Sequence, residues 1–116
     1  MEVSAATVLF QPVTIPIDPA NPCAVRVDPI VIDVPVRIVW ILPPGYQFGA
    51  SGVSGLGPPD FEDGRFEAFT RRRFGWTARR GGSNVERAYA LTIEWVDAEG
   101  GLRSCVAPDL RIINRS

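Results

Sequence analysis

The chain has 116 residues, a length that predicts one domain over residues 1–116 with its own hydrophobic core. Hydrophobic residues make up 46% and charged residues 22%, unlike the composition of disordered chains. The formal net charge of -1 excludes a global attraction to nucleic acid or to an anionic membrane. The chain also has no histidine, so the commonest general base and metal ligand is missing.

The first quarter of the chain predicts two weak strands separated by an extended segment. The strands are expected over residues 6–10 and 23–27, and the segment Gln11–Pro22 between them contains four prolines. The beginning of the chain lacks the cationic and apolar regions of a signal peptide, and no apolar run approaches the ~20 residues that span a bilayer. We therefore expect a cytoplasmic protein with no membrane partner.

The two cysteines, Cys23 and Cys105, belong to no CxxC or metal-spaced cluster. In a cytoplasmic protein they are expected to be reduced, partly buried thiols. The alternative is a disulfide, which would stabilise the fold by about 4 kcal/mol on the chain-entropy model. It would also contradict the cytoplasmic location.

The strongest strand signal is the alternation from Ile30 to Leu42, where every even position is apolar. Alternation with a period of two places one face on a core and the other toward solvent. Pro35 cannot donate a ladder hydrogen bond, so the segment is predicted to form two strands or one kinked edge strand. Ile38 and Trp40 are predicted core residues.

Residues 43–64 contain six glycines and four prolines and are predicted to form a long functional or flexible loop. Three aromatic residues, Tyr46, Phe48 and Phe61, lie within it. Their rings could stack on a sugar or on a partner protein, or they could fold back over the end of the sandwich. All three are candidate partner-binding residues.

An arginine cluster over residues 71–80 follows a predicted strand at 65–70 and overlaps another at 72–78. Phe74, Trp76 and Ala78 share one face of the latter, which predicts that they enter the core. The candidate partner-binding residues Arg71, Arg73 and Arg79 share the opposite face. They are expected to form a solvated, charged edge, and single-stranded nucleic acid is the alternative partner.

The second strong alternation, Arg87–Val96, places Leu91 and Ile93 on a core face. It ends in the glycine-containing turn Asp97–Gly101 and resumes at Leu102, which predicts a β-hairpin. A further strand is expected over residues 109–113, and a second turn over residues 81–84. Seven or eight short strands indicate an all-β, two-sheet antiparallel Greek-key sandwich.

Two stretches resemble Greek-key families. Tyr89–Gly100 resembles the F–G hairpin of immunoglobulin-like domains, particularly polycystic-kidney-disease-type repeats, and Asp28–Trp40 is similar to the early strand pair of cupredoxins. The cupredoxin resemblance implies copper bound by two histidines and a cysteine. This chain has no histidine, so no ligand is carried over, and the resemblances imply a fold class without a function.

The remaining candidate sites depend on carboxylates. Asp60 or Glu62 opposite Glu67 could form the acid pair of a glycosidase, but surface ion pairs with the arginines are the simpler interpretation. Asp97 and Glu99 are interpreted as hairpin residues, since calcium sites need six or more oxygens.

The leading functional hypothesis is a non-catalytic module with no catalytic residues, cofactor or metal. It would bind a protein or self-associate through a sheet edge or the long loop. The alternative is a carbohydrate- or nucleic-acid-binding domain that uses residues 71–80 or the aromatic residues of 43–64. An enzyme ranks third.

Overall fold

The structure is a computed structural model that describes residues 9–67, 69–80 and 84–116. In these ranges the chain forms eight β-strands in two four-stranded sheets and no helix. The strands are β1 (Phe10–Thr14), β2 (Ile30–Ile32), β3 (Val36–Ile41), β4 (Tyr46–Ser54), β5 (Phe61–Phe66), β6 (Arg73–Ala78), β7 (Val85–Val96) and β8 (Leu102–Asn114). The first sheet has the order β1-β3-β6-β5 and the second β2-β8-β7-β4. The predicted all-β two-sheet sandwich is confirmed.

Both sheets are mixed, where the sequence predicted antiparallel sheets. Strand β1 pairs with β3 in parallel, with Phe10 opposite Arg37. Strand β2 pairs with β8 in parallel, with Ile30 opposite Ile112. The chain crosses from one sheet to the other before and after β2, so these neighbours are not joined by hairpins and parallel pairing becomes available.

The predicted core faces are confirmed by the burial of their side chains. Ile38 and Trp40 of β3 and Leu91 and Ile93 of β7 all have 0% of their surface exposed. The break at Pro35 is also confirmed, because β2 and β3 lie on either side of it in different sheets. The alternating segment Ile30–Leu42 therefore contributes one strand to each of the two sheets.

The prediction that residues 43–64 form a loop is wrong, because the segment contains all of β4 and the start of β5. Three of its glycines, Gly49, Gly52 and Gly64, lie within strands at positions where a Cβ atom would collide with a neighbouring side chain. The pairing of β4 with β7 shifts between Phe48 and Val53, and Gly52 in this bulge has a φ of +54°. A Cβ atom at Gly52 would collide with the Phe74 ring, so glycine allows β4 to approach β6 there.

The weaker strand predictions have mixed outcomes. Residues 23–27 form no strand, and β5 begins at Phe61 and ends at Phe66 instead of spanning residues 65–70. The predicted strands at 72–78 and 109–113 are confirmed within β6 and β8. Most of the predicted strand at 6–10 and most of the predicted turn at 81–84 lie outside the described residues.

The prediction of reduced thiols is wrong, because Cys23 and Cys105 form a disulfide with their Cα atoms 6.0 Å apart. Strand β2 pairs only with the last part of β8, Ile112–Asn114, whereas Cys105 lies in the first half of β8. The disulfide attaches the irregular segment 15–29 beside that half. Disulfides are rare in the cytosol, so the crosslink does not fit the cytoplasmic expectation, which stays a prediction.

Candidate functional site

A large concave surface, which we call the sheet groove, lies on the outer face of the first sheet and has a volume of about 730 Å³. One side of it is apolar and consists of Phe10, Pro12, Val39 and Ile41. The other side is charged and includes Arg37, Arg65, Glu67 and Arg73. The groove follows from strand alternation: even positions of β3 enter the core, so its odd positions lie on the outer face beside Phe10 and Pro12 of β1.

A buried arginine network, which we call the Arg37 clasp, lies at the charged side of the sheet groove. Arg37 Nε donates a hydrogen bond of 2.9 Å to Glu67 Oε1. Its Nη1 donates to the Asp63 carbonyl at 2.6 Å and to Thr77 Oγ1 at 2.9 Å. A Cβ atom at Gly75 would lie 2.8 Å from Arg37 Nε, so the missing side chain of β6 gives the guanidinium its space. The clasp therefore connects β3 to its neighbour β6 and also to β5, which lies beyond β6 in the sheet.

Arg37 stands at an odd position of the Ile30–Leu42 alternation, which predicts a solvent-facing side chain, so the sequence does not point to it as a site residue. Its side chain is only 4% exposed, and Nη2 is buried without a hydrogen-bond partner among the described residues. Alternation assigns a residue to a face but does not show what covers that face. The available signal was Gly75, which stands between the outward positions Arg73 and Thr77 and leaves a gap in that face.

A second concave surface, the end cleft, lies where β4 begins and β7 ends and has a volume of about 590 Å³. We define it by Tyr46, Gln47, Arg71, Arg72, Glu94 and Trp95. The turn before β6 positions the two arginines. The Phe48 N–H donates to the Arg71 carbonyl at 2.7 Å and the Leu42 N–H donates to the Arg72 carbonyl at 2.9 Å. The turn thus bonds to β4 of one sheet and to the end of β3 in the other.

The end cleft combines aromatic rings with fixed positive charges. Tyr46 and Trp95 are directly opposite in the β4–β7 pairing, and their ring centroids are 6.0 Å apart at 52°. Arg71 donates from Nε and Nη2 to the Phe48 carbonyl, at 3.2 and 2.9 Å, and its guanidinium carbon lies 5.1 Å from the Phe66 ring centroid. These contacts hold the Arg71 guanidinium in one place.

The remaining polar groups of the end cleft leave it with an excess of positive charge. Glu94 Oε1 accepts a hydrogen bond from Gln47 Nε2 at 2.9 Å and lies 3.7 Å from Arg71 Nη2. Arg72 donates from Nε to the Leu42 carbonyl at 3.2 Å and has no ion-pair partner in the described part of the chain. Two arginines therefore face one carboxylate.

The structure brings together only two of the six candidate partner-binding residues, Tyr46 and Arg71, in the end cleft. Phe48 and Phe61 have 0% of their surface exposed, so their rings belong to the core and offer no surface to a partner. Arg73 lines the sheet groove. Arg79 is exposed and lies 3.5 Å from Glu62.

Strand β6 lies between β3 and β5, so the prediction that the arginines form a charged sheet edge is wrong. The predicted inner face of β6 is confirmed for Phe74 and Ala78, which are buried. Trp76 is half-buried and donates from Nε1 to the Val53 carbonyl at 2.8 Å, a bond that connects the two sheets. Sequence spacing identified the faces of β6 but not its neighbours.

The carboxylates considered for glycoside hydrolysis each contact a different arginine. Asp60 is buried and receives two hydrogen bonds from Arg87, of 2.6 and 3.3 Å. Glu62 faces Arg79, as described above. Glu67, which follows β5, accepts a hydrogen bond from Arg37 of β3, and β6 lies between these two strands. All three carboxylates thus form ion pairs with arginines, which was the simpler interpretation from the sequence.

Asp97 organises the β7–β8 turn. Its Oδ1 accepts hydrogen bonds from the N–H groups of Glu99 and Gly101, at 3.0 and 2.8 Å, and its Oδ2 accepts one from Arg103 Nε at 2.7 Å. The bond from Arg103 and then that from the Gly101 amide lower the pKa of Asp97. The described residues contain no group of three or more Cys, Asp or Glu side chains that could hold a metal ion. Asp97 therefore has the hairpin role expected from the sequence.

Two buried polar groups, the indole N–H of Trp40 and the hydroxyl of Tyr89, belong to neighbouring rings of the core. The Trp40 and Tyr89 rings are 5.3 Å apart, and neither Trp40 Nε1 nor the Tyr89 hydroxyl has a hydrogen-bond partner of good geometry among the described residues. Burial raises the pKa of the Tyr89 hydroxyl, and the smaller influence of the Trp40 indole opposes it. The hydroxyl is therefore neutral over the physiological pH range.

No protein-family model matches the sequence, and no curated protein is significantly similar to it. The resemblances to immunoglobulin-like domains and cupredoxins therefore rest on the two stretches quoted above. None of the described segments forms a helix of the length and apolarity that crossing a membrane requires.

Proposed function

We propose that the protein is a non-catalytic assembly module that pairs with a second copy of itself through an apolar patch on edge strand β1. This β1 patch consists of Leu9, Phe10, Pro12 and Val34. Leu9 is 54% exposed, Phe10 66% and Val34 52%. Phe10 and Pro12 line both the sheet groove and a second depression on the other side of β1, so the patch is continuous with the groove. Contiguous exposed apolar surface is typical of protein interaction sites.

The backbone of β1 favours contact through side chains over the addition of a strand. The Leu9 carbonyl and the Ile15 N–H both bond to β3, so the alternate residues Phe10, Pro12 and Thr14 direct their backbone groups to the free edge. Pro12 has no N–H, which interrupts the row of donors at its centre. A continuous ladder with another strand is therefore blocked, and the exposed apolar side chains become the contact surface.

The charges around the patch support a second copy as the partner. The sheet groove is lined by three arginines and three carboxylates: Arg37, Arg65, Arg73, Glu62, Asp63 and Glu67. A surface with equal numbers of both signs can complement itself across a two-fold axis. The net charge of -1 adds little long-range repulsion between copies.

Size-exclusion chromatography with light scattering tests the assembly. We expect the parent protein to be a dimer and Phe10→Ser to be a monomer with an unchanged circular dichroism spectrum. Val106→Ser is the matched control, since Val106 is 54% exposed on β8 of the other sheet, and it should remain dimeric. A monomeric parent at every soluble concentration would overturn the proposal, and so would a dimer that Phe10→Ser leaves intact.

A further inference from the structure

The end cleft is separate from the β1 patch and from the sheet groove. None of the residues that line the end cleft lines either depression beside β1. Its volume of about 590 Å³ lies within the range of small-ligand sites, about 300–1,000 Å³. It is therefore a candidate site for a small ligand, and it does not depend on self-association.

The aromatic floor of the end cleft arises because the strands continue beyond the core. Phe48 and Ile93 form a cross-strand pair with 0% exposure. The next pair on the same face, Tyr46 and Trp95, is only half-buried. Their rings pack against the core on one side and are open to the cleft on the other. Half-exposed rings in a concavity offer apolar faces on which the C–H groups of a ring-shaped ligand can pack.

The charges of the end cleft are preorganised for an anion. Arg71 and Arg72 are each anchored through Nε to a backbone carbonyl, that of Phe48 and that of Leu42. Their remaining guanidinium N–H groups outnumber the acceptors supplied by Glu94. A fixed guanidinium fork binds carboxylate and sulfate groups well, because little side-chain entropy is lost on binding.

From these observations we infer that the end cleft binds an acidic saccharide, a sugar ring that carries a carboxylate or a sulfate. The Tyr46 and Trp95 rings would pack against the sugar ring, Arg71 and Arg72 would bind its anionic group, and Gln47 and Thr70 lie beside them for its hydroxyls. The 52° angle between the two rings leaves no parallel slot for a nucleobase. The net charge of -1 also disfavours a polyanionic nucleic acid.

Titration with two trisaccharides tests the ligand class. Trigalacturonate carries carboxylates and maltotriose does not. Followed by tryptophan fluorescence and by calorimetry, the parent protein should bind trigalacturonate about tenfold more tightly, the usual size of a charge-assisted contribution. Equal affinity for the two sugars, or no binding of either, would overturn the inference. Binding of a short oligothymidylate in place of trigalacturonate would assign the cleft to nucleic acid and would also overturn it.

Three variants test the location of the site. Arg72→Ser should remove the preference for trigalacturonate over maltotriose, and Tyr46→Ala should weaken the binding of both sugars. Arg111→Ser is the matched control, because Arg111 is an exposed arginine at the opposite end of the β7–β8 hairpin from the end cleft, and its affinities should equal those of the parent. Unchanged binding by Arg72→Ser would overturn the inference even if Tyr46→Ala fails to fold. Phe10→Ser should bind trigalacturonate normally, so that failure of self-association is distinguished from failure of this site.

Discussion

The β7–β8 hairpin of the second sheet and the β3–β6 pair of the first sheet enclose the same core but are different kinds of strand pairing. The second sheet contains the β7–β8 hairpin, whose strands follow one another and pair at 11 positions. In the first sheet β3 lies between β1 and β6, and neither of these is its neighbour in sequence. Closing a long loop costs more entropy than closing a hairpin. The β3–β6 pair therefore closes a longer stretch of chain than the β7–β8 hairpin does.

The side-chain contacts across the strands differ in the same way. On the second sheet, Arg111 and Glu86 form an exposed pair at 3.9 Å, with side chains 50% and 57% exposed. On the first sheet, the pair between Arg37 and Glu67 is 2.9 Å long, with side chains 4% and 18% exposed. The comparison indicates that the β7–β8 hairpin relies on backbone pairing, whereas β3 is also held by the buried Arg37 clasp.

The largest effect should come from the disulfide, which attaches segment 15–29 beside the first half of β8 in the second sheet. Replacing Cys23 and Cys105 together with serine should lower the free energy of unfolding by about 4 kcal/mol, because the crosslink spans 82 residues and restricts the unfolded chain. Urea denaturation measures this change. Dithiothreitol should destabilise the parent protein by a similar amount and leave the double variant unaffected. Equal stabilities of parent and variant would show that segment 15–29 needs no covalent attachment.

The sharpest test of the comparison is a matched pair of arginine variants. Arg37→Met should lower the free energy of unfolding by about 3 kcal/mol, since it leaves the carboxylate of Glu67 without its buried partner. Arg111→Met should change it by less than about 1 kcal/mol, as is usual for exposed pairs. Chemical denaturation of both variants measures the difference. If the two variants were equally stable, the Arg37 clasp would have no special role in holding the first sheet.

The double variant Arg37→Met with Glu67→Leu separates the loss of the pair from the penalty of an unpaired charge. Removing both charges should recover part of the stability lost in Arg37→Met, because the uncompensated carboxylate is gone. A double variant less stable than Arg37→Met would instead attribute the loss to the packing of the Arg37 stem over Gly75.

The smallest effect should appear at the turn of the β7–β8 hairpin when the pH falls. The pKa of Asp97 is lowered in the folded protein, mainly by Arg103, so its stabilising contribution is complete above the ordinary aspartate pKa of about 4. The contribution is lost as the pH falls through the lowered, folded-state pKa. Amide hydrogen exchange by NMR should show the Gly101 N–H opening more readily at acid pH, relative to amides of β3.

Asp97→Asn is the control for this measurement, because its side chain does not titrate. The variant should show weaker protection of the Gly101 amide at neutral pH and little further change on acidification. Acid opening of the turn that persists in Asp97→Asn would assign the effect to another carboxylate.

Local patterns in the sequence predicted which face of each strong strand is buried and where strands are interrupted by breaks and turns. Side-chain alternation identified Ile38, Trp40, Leu91 and Ile93 as core residues, and the structure confirms them. Pro35 marked the break between β2 and β3, and the residues from Asp97 to Gly101 marked the hairpin turn. These features depend on the pleat, on the missing N–H of proline and on glycine dihedral angles, which act within a few residues of chain.

Other features depended on residues distant in sequence, and only the tertiary structure decided them. Gly52 looks like a loop residue until Phe74 of β6 is placed behind β4. Tyr46 and Arg71 meet only because the turn before β6 bonds to both sheets. Arg37 looks like a surface residue until the structure shows that Gly75 leaves space for its guanidinium and that Glu67 bonds to it. The pairing of Cys23 with Cys105 is of the same kind. Alternation specifies which face of a strand is buried, whereas the neighbours of that strand are set by long-range packing of the whole chain.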